Sequence, residues 1–403
     1  MTAASPQPVA FSNVEQWPVP ADVSGPEWDL LLLCCVDLSN RERKERIGQV
    51  IRRQLDWERF FQLAEHHGVV PRVYRHLSTV PDVILPSILD TLRQRYQTNA
   101  HRTLWLTREL LRILGHLKSR GIDALPYKGP ALAEMLYGNV ALRQFTDLDV
   151  LIRVADLPHV KAAVLELGYE PGITLSPREE RAYLASGYEY SFDSAQGKNL
   201  LEIQWQILPR FYSVGFDVDA LFERGSTISV GGQSVRTLGA EDLTLVLCVH
   251  AAKHAWVQVS WLCDIAELAT SPQLDWDAIQ WQARRLGIER IVAVTFLLAQ
   301  KLVGTPLPPF VQARLQTDSA AASRATEILS IIERGGEYNT ESTAYFRLML
   351  RLRERRQDQF RFLWRLVFTP SVSEWSAIRL PAALFPLYRV VRFFRLMGKM
   401  NAS

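Results

Sequence analysis

The chain has 403 residues, a formal net charge of +3 and a hydrophobic content of 48%. This length and composition fit a globular protein with two or three cores, and they exclude an intrinsically disordered or fibrous chain. The first 25 residues lack the basic start and apolar run of a signal peptide, and the apolar run 30–36 is too short to span a bilayer. We therefore expect a cytoplasmic protein without a transmembrane segment.

The cysteine spacing indicates a reducing environment. The chain has four cysteines and no C-x-x-C pair among them. This pattern predicts free, mostly buried thiols at Cys34, Cys35, Cys248 and Cys263.

The N-terminal part of the sequence predicts helices. Residues 1–25 form a proline-containing lead that we expect to be flexible, and residues 26–84 show helical periodicity punctuated by prolines. Pro86–Arg120 predicts one long amphipathic helix, because its leucines recur close to a 3.6-residue period and Gly121 follows as a stop.

A lysine–glycine turn follows this helix. Ile122–Tyr127 predicts a short strand, and Lys128-Gly129-Pro130 turns it into a helix over Ala131–Tyr137. Gly129 allows the backbone to approach a ligand, and the N-terminus of the helix favours anions. Taken alone, the same residues also fit an ordinary strand-to-helix turn with a solvated lysine.

Two aspartates lie at a spacing of two in the next predicted strand, Asp147–Arg153. Side chains two apart in a strand share a face, so Asp147 and Asp149 lie side by side while Leu148 and Val150 take the other face. Adjacent carboxylates repel each other unless a cation lies between them, which indicates a divalent metal. Without further context, a strand edge with two solvated aspartates is the alternative.

A later hairpin supplies a third acidic residue. Tyr188–Asp193 and Leu200–Leu208 predict paired strands. The second strand alternates, with Leu201, Ile203, Trp205 and Ile207 on one face and Glu202, Gln204 and Gln206 on the other. Glu202 is a candidate ligand beside the aspartates, or else part of a half-exposed polar face.

The rest of this region predicts two helices and one more hairpin. The helices cover Ala155–Leu167 and Ser176–Ser186. The hairpin covers Thr227–Thr237, and we expect it to be the last part of the same sheet.

From Ala240 onward the pattern is helical, with predicted helices over Glu241–Ala255, Ser260–Ala269, Asp275–Leu286 and Ile288–Val303. His250 and His254 are four apart on one helix face, and Asp264 follows on the next helix. This spacing suits a metal, but no glutamate occupies the second position of the motif and no third ligand lies at a telling distance. We expect packing, or contact with substrate from a helical lid.

Basic residues are concentrated at the C-terminus. Positions 341–403 contain twelve Lys and Arg against four Asp and Glu, whereas the rest of the chain is slightly acidic. The arginines are interleaved with aromatic residues in two clusters, 351–365 and 388–396. Basic amphipathic helices of this kind contact phosphates, nucleic acid or a membrane surface; alternatively they pack on the protein's own acidic domain.

Together these features resemble the nucleotidyltransferase superfamily with a polymerase-beta-like fold. They resemble in particular a broad, largely uncharacterised bacterial nucleotidyltransferase family that carries K-G-x-A-L followed by R-x-x-x-D-x-D. The matching stretches within 85–270 are 127–133, 143–151, 201–205, 250–254 and 261–264. The resemblance implies an α+β fold, with a small mixed sheet and flanking helices over 85–238, helical regions at 26–84 and 239–335, and basic helices over 336–403.

The resemblance also implies a metal-assisted mechanism. Asp147, Asp149 and Glu202 would bind Mg²⁺ or Mn²⁺ bridging the triphosphate of an NTP. Glu202 would ease the attack of an acceptor hydroxyl on the α-phosphorus. Positioning and charge neutralisation supply most of such catalysis.

By the same resemblance, the two motifs would hold the nucleotide. Lys128 and the Gly129 amide would cradle the β- and γ-phosphates, and Arg143 would pair with a phosphate or with one of the carboxylates. Thr146 belongs to the same nucleotide-binding set. The candidate substrate or lid contacts are His250, His254, Asp264 and Gln204.

Two departures from the family pattern bear on activity. The superfamily usually has Gly-Ser or Gly-Gly where this chain has Gly129-Pro130, so a hydroxyl and an amide donor are missing. Relatives often have histidine at the position of Gln204, which cannot act as a base. Neither change removes a metal ligand.

Three functions remain open at this point. The first is Mg²⁺-dependent transfer of a nucleoside monophosphate from an NTP to a small-molecule, peptide or saccharide acceptor, with release of pyrophosphate. The second is transfer to tRNA or to a protein in a toxin–antitoxin or phage-defence setting, which the basic C-terminus favours. The third is a nucleotide-binding or scaffold protein without turnover, which Pro130 and Gln204 favour.

Overall fold

The structure is a computed structural model that describes residues 25–194, 199–333, 342–369, 378, 380, 382–392, 394 and 395. The predicted flexible lead therefore lies outside the described residues except for Gly25, and so does part of the predicted basic segment 336–403. None of the described helices is both long enough and apolar enough to cross a lipid bilayer. The four cysteines are free and buried, as the sequence predicts.

Helices make up most of the described chain. Before the sheet lie α1 Pro26–Leu33, α2 Asn40–Ile51, α3 Trp57–His66, α4 Val70–Leu77 and α5 Pro86–Ser119. Between and beside the strands lie α6 Gly129–Tyr137, α7 Leu157–Glu166, α8 Pro177–Leu184 and α9 Val218–Glu223. The C-terminal half contains α10 Ala240–Lys253, α11 Val259–Ala269, α12 Trp276–Leu286, α13 Glu289–Val303, α14 Pro309–Thr317, α15 Ser319–Ile332, α16 Thr343–Arg351 and α17 Arg356–Phe368.

A five-stranded mixed sheet lies between the helical regions. Its strands are β1 Ala124–Pro126, β2 Asp147–Ile152, β3 Tyr169–Pro171, β4 Glu189–Ser194 and β5 Leu200–Gln204, in the spatial order β1-β2-β5-β4-β3. β2 and β5 run parallel, and the other pairs are antiparallel. The small mixed sheet with flanking helices is the α+β fold that the sequence predicts.

The last hairpin differs from expectation. β6 Ser226–Val230 and β7 Gln233–Thr237 form a separate two-stranded sheet instead of extending the main one. β1 is only three residues long and ends in Pro126, which has no amide hydrogen to give to a ladder. The hydroxyl of Thr237 donates to the Pro126 carbonyl instead, at 2.7 Å.

The strand predicted over Leu200–Leu208 ends early, at Gln204. The amides of Trp205 and Gln206 both donate to the carbonyl of Tyr188, at 2.9 and 3.3 Å, which is the pattern of an extra residue in a ladder. The predicted alternation therefore does not extend to Ile207. This residue packs in a different hydrophobic core from Leu201, Ile203 and Trp205.

The two faces of the sheet meet different hydrophobic cores. One face packs against α5 and α7, and its buried residues include Leu148, Val150, Leu201 and Ile203. The opposite face meets a larger core that joins α1–α4 to α10–α13 and includes Leu151. The aspartate-bearing face of β2 thus points toward the C-terminal helices.

Local sequence signals explain several element boundaries. Ser176 and Glu179 form a reciprocal capping box at the start of α8, which accounts for the predicted helix there. Gly121, with φ of +71°, follows α5 and lets the chain leave a 34-residue helix in a left-handed conformation. The long helix predicted over Pro86–Arg120 is thus observed nearly as predicted.

Candidate active site

The parallel pairing of β2 and β5 brings the predicted acidic residues together. Asp149 is the direct register partner of Glu202, and Asp147 lies two positions before Asp149 on the same face. Asp149 is buried, whereas Asp147 and Glu202 are half-buried. The three carboxylates that the sequence places in one metal site therefore share one face of two neighbouring strands.

A lysine neutralises part of this acidic face. The Lys128 Nζ donates to Asp149 Oδ1 at 2.8 Å, and both side chains are largely buried. Burial lowers the pKa of Lys128, but Asp149, Tyr127, Glu202 and Asp147 outweigh it and hold that pKa above its ordinary value. The lysine of the lysine–glycine turn is thus a charged partner of the D-x-D motif, not a solvated side chain.

Gln204 connects the carboxylates to one another. Its Nε2 donates to Asp149 Oδ1 at 3.1 Å, to Glu202 Oε2 at 3.1 Å and to Glu189 Oε2 at 3.2 Å. The amide nitrogen has two hydrogens for these three acceptors, so they share it. The Tyr127 hydroxyl donates to the Gln204 Oε1. Gln204 is therefore a buried link between strands.

Glu189 is a fourth carboxylate that the sequence reasoning missed. It begins β4 and is the register partner of Gln204, so it lies on the same face as Glu202. The signal was present in the alternation of β4, where Glu189 and Ser191 share one face and Tyr190 and Phe192 take the apolar one. Only the β4–β5 register shows that Glu189 lies beside Gln204 and on the face of Glu202.

The turn before α6 is shaped by the protein's own backbone. Gly129 has φ of +53°, and a Cβ at this position would lie 3.3 Å from the Asp147 carbonyl oxygen. A side chain here would be strained in conformation and crowded against β2. No described side chain caps α6, and Pro130 leaves its first turn with one amide fewer.

Arg143 pairs with a carboxylate that lies outside the acidic face of the sheet. Its Nε donates to Asp264 Oδ2 at 3.0 Å, and the Tyr137 hydroxyl donates to Asp264 Oδ1 at 2.7 Å. Burial lowers the pKa of Arg143, but Asp264 raises it above the ordinary value. Arg143, in the segment between α6 and β2, thus forms a buried ion pair with Asp264 of α11, and Tyr137 joins the end of α6 to that pair. Thr146 is exposed just before β2.

The two predicted histidines lie in an aromatic cluster beside the lysine. The ring centroids of His250 and His254 are 4.8 Å apart, and Trp261 lies 5.2 and 5.3 Å from them. Burial, with Lys128 as a further cause, holds the pKa of His250 well below its ordinary value. Burial and Lys253 do the same for His254. Both rings are therefore neutral and packed near the acidic face.

The residues of the acidic face fit a hard divalent cation in their chemistry. Asp149 Oδ2 is buried without a hydrogen-bond partner among the described residues. Burial and then Asp149 raise the pKa of Asp147, and burial and then Glu189 raise that of Glu202. Carboxylate oxygens are the ligands that Mg²⁺ and Mn²⁺ prefer, and a bound cation relieves the repulsion between neighbouring carboxylates. As the side chains stand, no three His, Cys, Asp or Glu of the described chain converge closely enough to hold a metal.

A lysine–glycine turn beside paired strand carboxylates, on a small mixed sheet flanked by helices, is the site expected of a nucleotidyltransferase. The chain matches the family described as "Uncharacterised nucleotidyltransferase" over residues 53–304, and it belongs to that family. The resemblance noted in the sequence is thereby confirmed. No curated protein is similar enough to the chain to count as a match.

One solved structure shows a distant likeness to the chain. It is the crystal structure of an antigenic nucleotidyltransferase-like protein from Paracoccidioides brasiliensis, at 17% sequence identity. The alignment covers 49% of this chain and 93% of that chain, with a TM-score of 0.28. The assignment to the family therefore rests on the family match.

Proposed function

We propose that the protein transfers a nucleoside monophosphate from an NTP to an acceptor hydroxyl and releases pyrophosphate. The observation that carries this proposal is the pairing of Asp149 with Glu202 across the parallel strands, with the Lys128 ammonium on Asp149. The same three groups provide charge for a triphosphate and a proton acceptor for a hydroxyl. They lie on one face of the sheet, near a helix N-terminus that no described side chain caps.

The triphosphate would be bound by Lys128 and the first amides of α6. Lys128 is a compact point charge on a flexible stem, so it can move from Asp149 to a phosphate oxygen without a backbone change. Pro130 removes one of the helix-end donors, so Lys128 carries a larger share of phosphate binding than in relatives with Gly-Ser. Arg143 acts through the fold, because Asp264 already binds it.

Asp147, Asp149 and Glu202 would hold Mg²⁺ or Mn²⁺. The cation, when bound, neutralises charge on the phosphates and supports departure of pyrophosphate. Gln204 keeps Asp149 and Glu202 oriented through its amide, and the protein interior beneath them excludes water. Glu202, next to Asp149 on the neighbouring strand, would accept the acceptor's proton as its oxygen attacks the α-phosphorus.

Pyrophosphate release tests the proposal. We expect release from at least one of four NTPs with cell extract as acceptor, and a loss of about 100-fold or more in Asp147→Asn/Asp149→Asn. Asp277→Asn, an exposed aspartate on α12, is the matched control and should retain activity. Equal release from the wild type and the double variant would overturn the enzyme proposal.

A nucleotide-binding protein without turnover is the second candidate. It is favoured by the occupation of Asp149 Oδ1 by both Lys128 and Gln204, and by the proline at the phosphate turn. Such a protein would bind NTP with similar affinity with or without Mg²⁺ and release no pyrophosphate. Isothermal titration with a non-hydrolysable NTP, in EDTA and in Mg²⁺, separates the two candidates.

A further inference from the structure

A basic cavity of about 270 Å³ lies beside α17 and shares none of its described lining residues with the candidate active site. Four arginines from three segments line it: Arg285 at the end of α12, Arg355 just before α17, and Arg361 and Arg365 on α17. Asp358 is the one carboxylate among the described lining residues. The cavity therefore has a clear excess of positive charge.

The charges in the cavity are poorly compensated. Arg361 lies 3.5 Å from Asp358 but keeps 60% of its side chain exposed, and Arg355 donates to the neutral carbonyl of Arg284. Burial, followed by the charges of Arg210 and Arg361, lowers the pKa of Arg365. Guanidinium groups gathered in this way repel one another unless an anion lies between them. Arginine forks match phosphate oxygens in geometry.

Exposed aromatic rings lie on α17 and α12, the two helices that carry arginines of the cavity. Phe360, Trp364 and Phe368, here called the aromatic ridge, recur every four residues and so share one face of α17. Phe360 is 66% exposed and Trp364 is 57% exposed. On the α12 side, Trp281 is also exposed and lies under the Arg285 guanidinium at 5.5 Å.

We propose that the arginine cavity and the aromatic ridge bind a single-stranded nucleic acid. A backbone phosphate enters the cavity, and unpaired bases stack on the rings of the ridge. Proteins that bind single strands combine these two features, a basic groove for the backbone and aromatic platforms for the bases.

The shape of the cavity favours a nucleic acid over a membrane surface. A helix that lies on a bilayer needs its cations spread along the flanks of its apolar face. Here the cations converge in a concave space that one phosphate can enter and a flat lipid surface cannot.

Hydrogen bonds connect the cavity to the acidic face of the sheet. Tyr212, next to the cavity residue Ser213, contacts the Tyr345 hydroxyl, which donates to the Lys253 carbonyl at 2.7 Å. The Lys253 Nζ donates to the Tyr188 hydroxyl at 3.0 Å, and Tyr188 precedes Glu189 in the chain.

The proposal concerns nucleic-acid binding alone, so it stands or falls independently of nucleotidyl transfer.

Fluorescence anisotropy of labelled 12-mer RNA and DNA strands on the full chain tests the proposal. We expect dissociation constants of about 1–100 µM for single strands, with weaker binding to the matching duplex. Trp364→Ala should weaken binding about tenfold or more. Arg361→Gln/Arg365→Gln should weaken it and lower the slope of log affinity against log salt by about 1.4.

Matched controls come from α5, which has an exposed tryptophan and exposed arginines that do not line the cavity. Trp105→Ala and Arg102→Gln/Arg108→Gln should bind like the wild type. The proposal is overturned if the α17 and α5 variants bind alike, or if no single strand binds at 100 µM of protein, about the weak limit of such binding. It is also overturned if vesicles with anionic lipid, or inorganic phosphate alone, bind while the oligonucleotides do not.

Discussion

The Lys128 ammonium lies 2.8 Å from Asp149 Oδ1, with the exposed fraction of the two side chains only 12% and 1%. This internal cation neutralises only part of the charge of a face that also contains Asp147, Glu202 and Glu189. A divalent metal that binds Asp149 must compete with it. An incoming triphosphate offers the lysine another partner, so phosphate and metal should bind cooperatively.

Removal of the lysine charge should therefore favour metal binding. We expect Lys128→Met to bind Mn²⁺ about tenfold or more tightly than the wild type in the absence of nucleotide, because a positive charge within hydrogen-bond distance is removed. The same variant should bind NTP more weakly. Titration calorimetry with Mn²⁺ alone measures the effect.

Lys161→Met is the control for this substitution. Lys161 pairs with Glu180 and packs over Tyr190 on the apolar side of the sheet. Its loss should leave Mn²⁺ affinity unchanged. Unchanged Mn²⁺ affinity in Lys128→Met would show that the lysine does not compete with the metal.

The Arg143–Asp264 pair should behave as a structural ion pair. Arg143→Met or Asp264→Asn alone leaves a buried partner unmatched and should lower the free energy of unfolding by about 3–5 kcal/mol. The double variant should lower the free energy of unfolding by clearly less than the sum of the two single losses. Urea denaturation at pH 7 measures all three; strictly additive losses would argue against a direct pairing.

Gln204 should contribute to stability as well as to the site. Gln204→Ala removes the donor shared by three carboxylates and the acceptor of Tyr127, and should lower the free energy of unfolding by about 1–3 kcal/mol. Gln206→Ala, two residues on and exposed, should change it by less than about 0.5 kcal/mol. Denaturation midpoints compare the two. Equal small effects would mean that the Gln204 bonds contribute little.

Acid should destabilise the protein through His67. Burial, followed by the neighbouring His66, lowers the pKa of His67 to about 3, and its ring lies 5.1 Å from that of Trp28. In the unfolded chain His67 takes up a proton below its ordinary pKa near 6.5. In the folded chain it takes up that proton only near pH 3. Stability is therefore complete above about pH 6.5 and falls as the pH drops, by about 2 kcal/mol at pH 5 from this residue.

His67→Phe tests this assignment. The substitution should reduce the loss of unfolding free energy between pH 7 and pH 5 by about 2 kcal/mol. His101→Phe, at an exposed position on α5, should leave the loss as it is in the wild type. An unchanged pH profile in His67→Phe would assign the acid sensitivity to other groups.

Local alternation was enough to predict which face of its strand each carboxylate takes. Asp147 and Asp149 face one way and Leu148 and Val150 the other because a strand has a period of two, which requires no tertiary information. The position of Glu202 followed the same rule, since it lies within a strand that alternates up to Gln204.

Long-range pairings were beyond the sequence. The partner of Arg143 is Asp264, 121 residues away. Nothing in the local sequence shows whether Arg143 pairs with this carboxylate or with a phosphate. The pairing of Lys128 with Asp149 and the arrival of Glu189 depend on registers that only the folded sheet sets. The separate β6–β7 sheet depended on the short length of β1 and its terminal proline.

The parallel pairing of β2 with β5 also has a consequence for folding kinetics. Asp149 and Gln204 are 55 residues apart in the chain. A parallel strand pair forms only after the ends of the whole intervening crossover segment have come together. Contacts of such sequence separation form slowly and late. During refolding, the cation binding proposed for this face should therefore return after most of the helical signal, so that metal uptake would report the last stage of maturation.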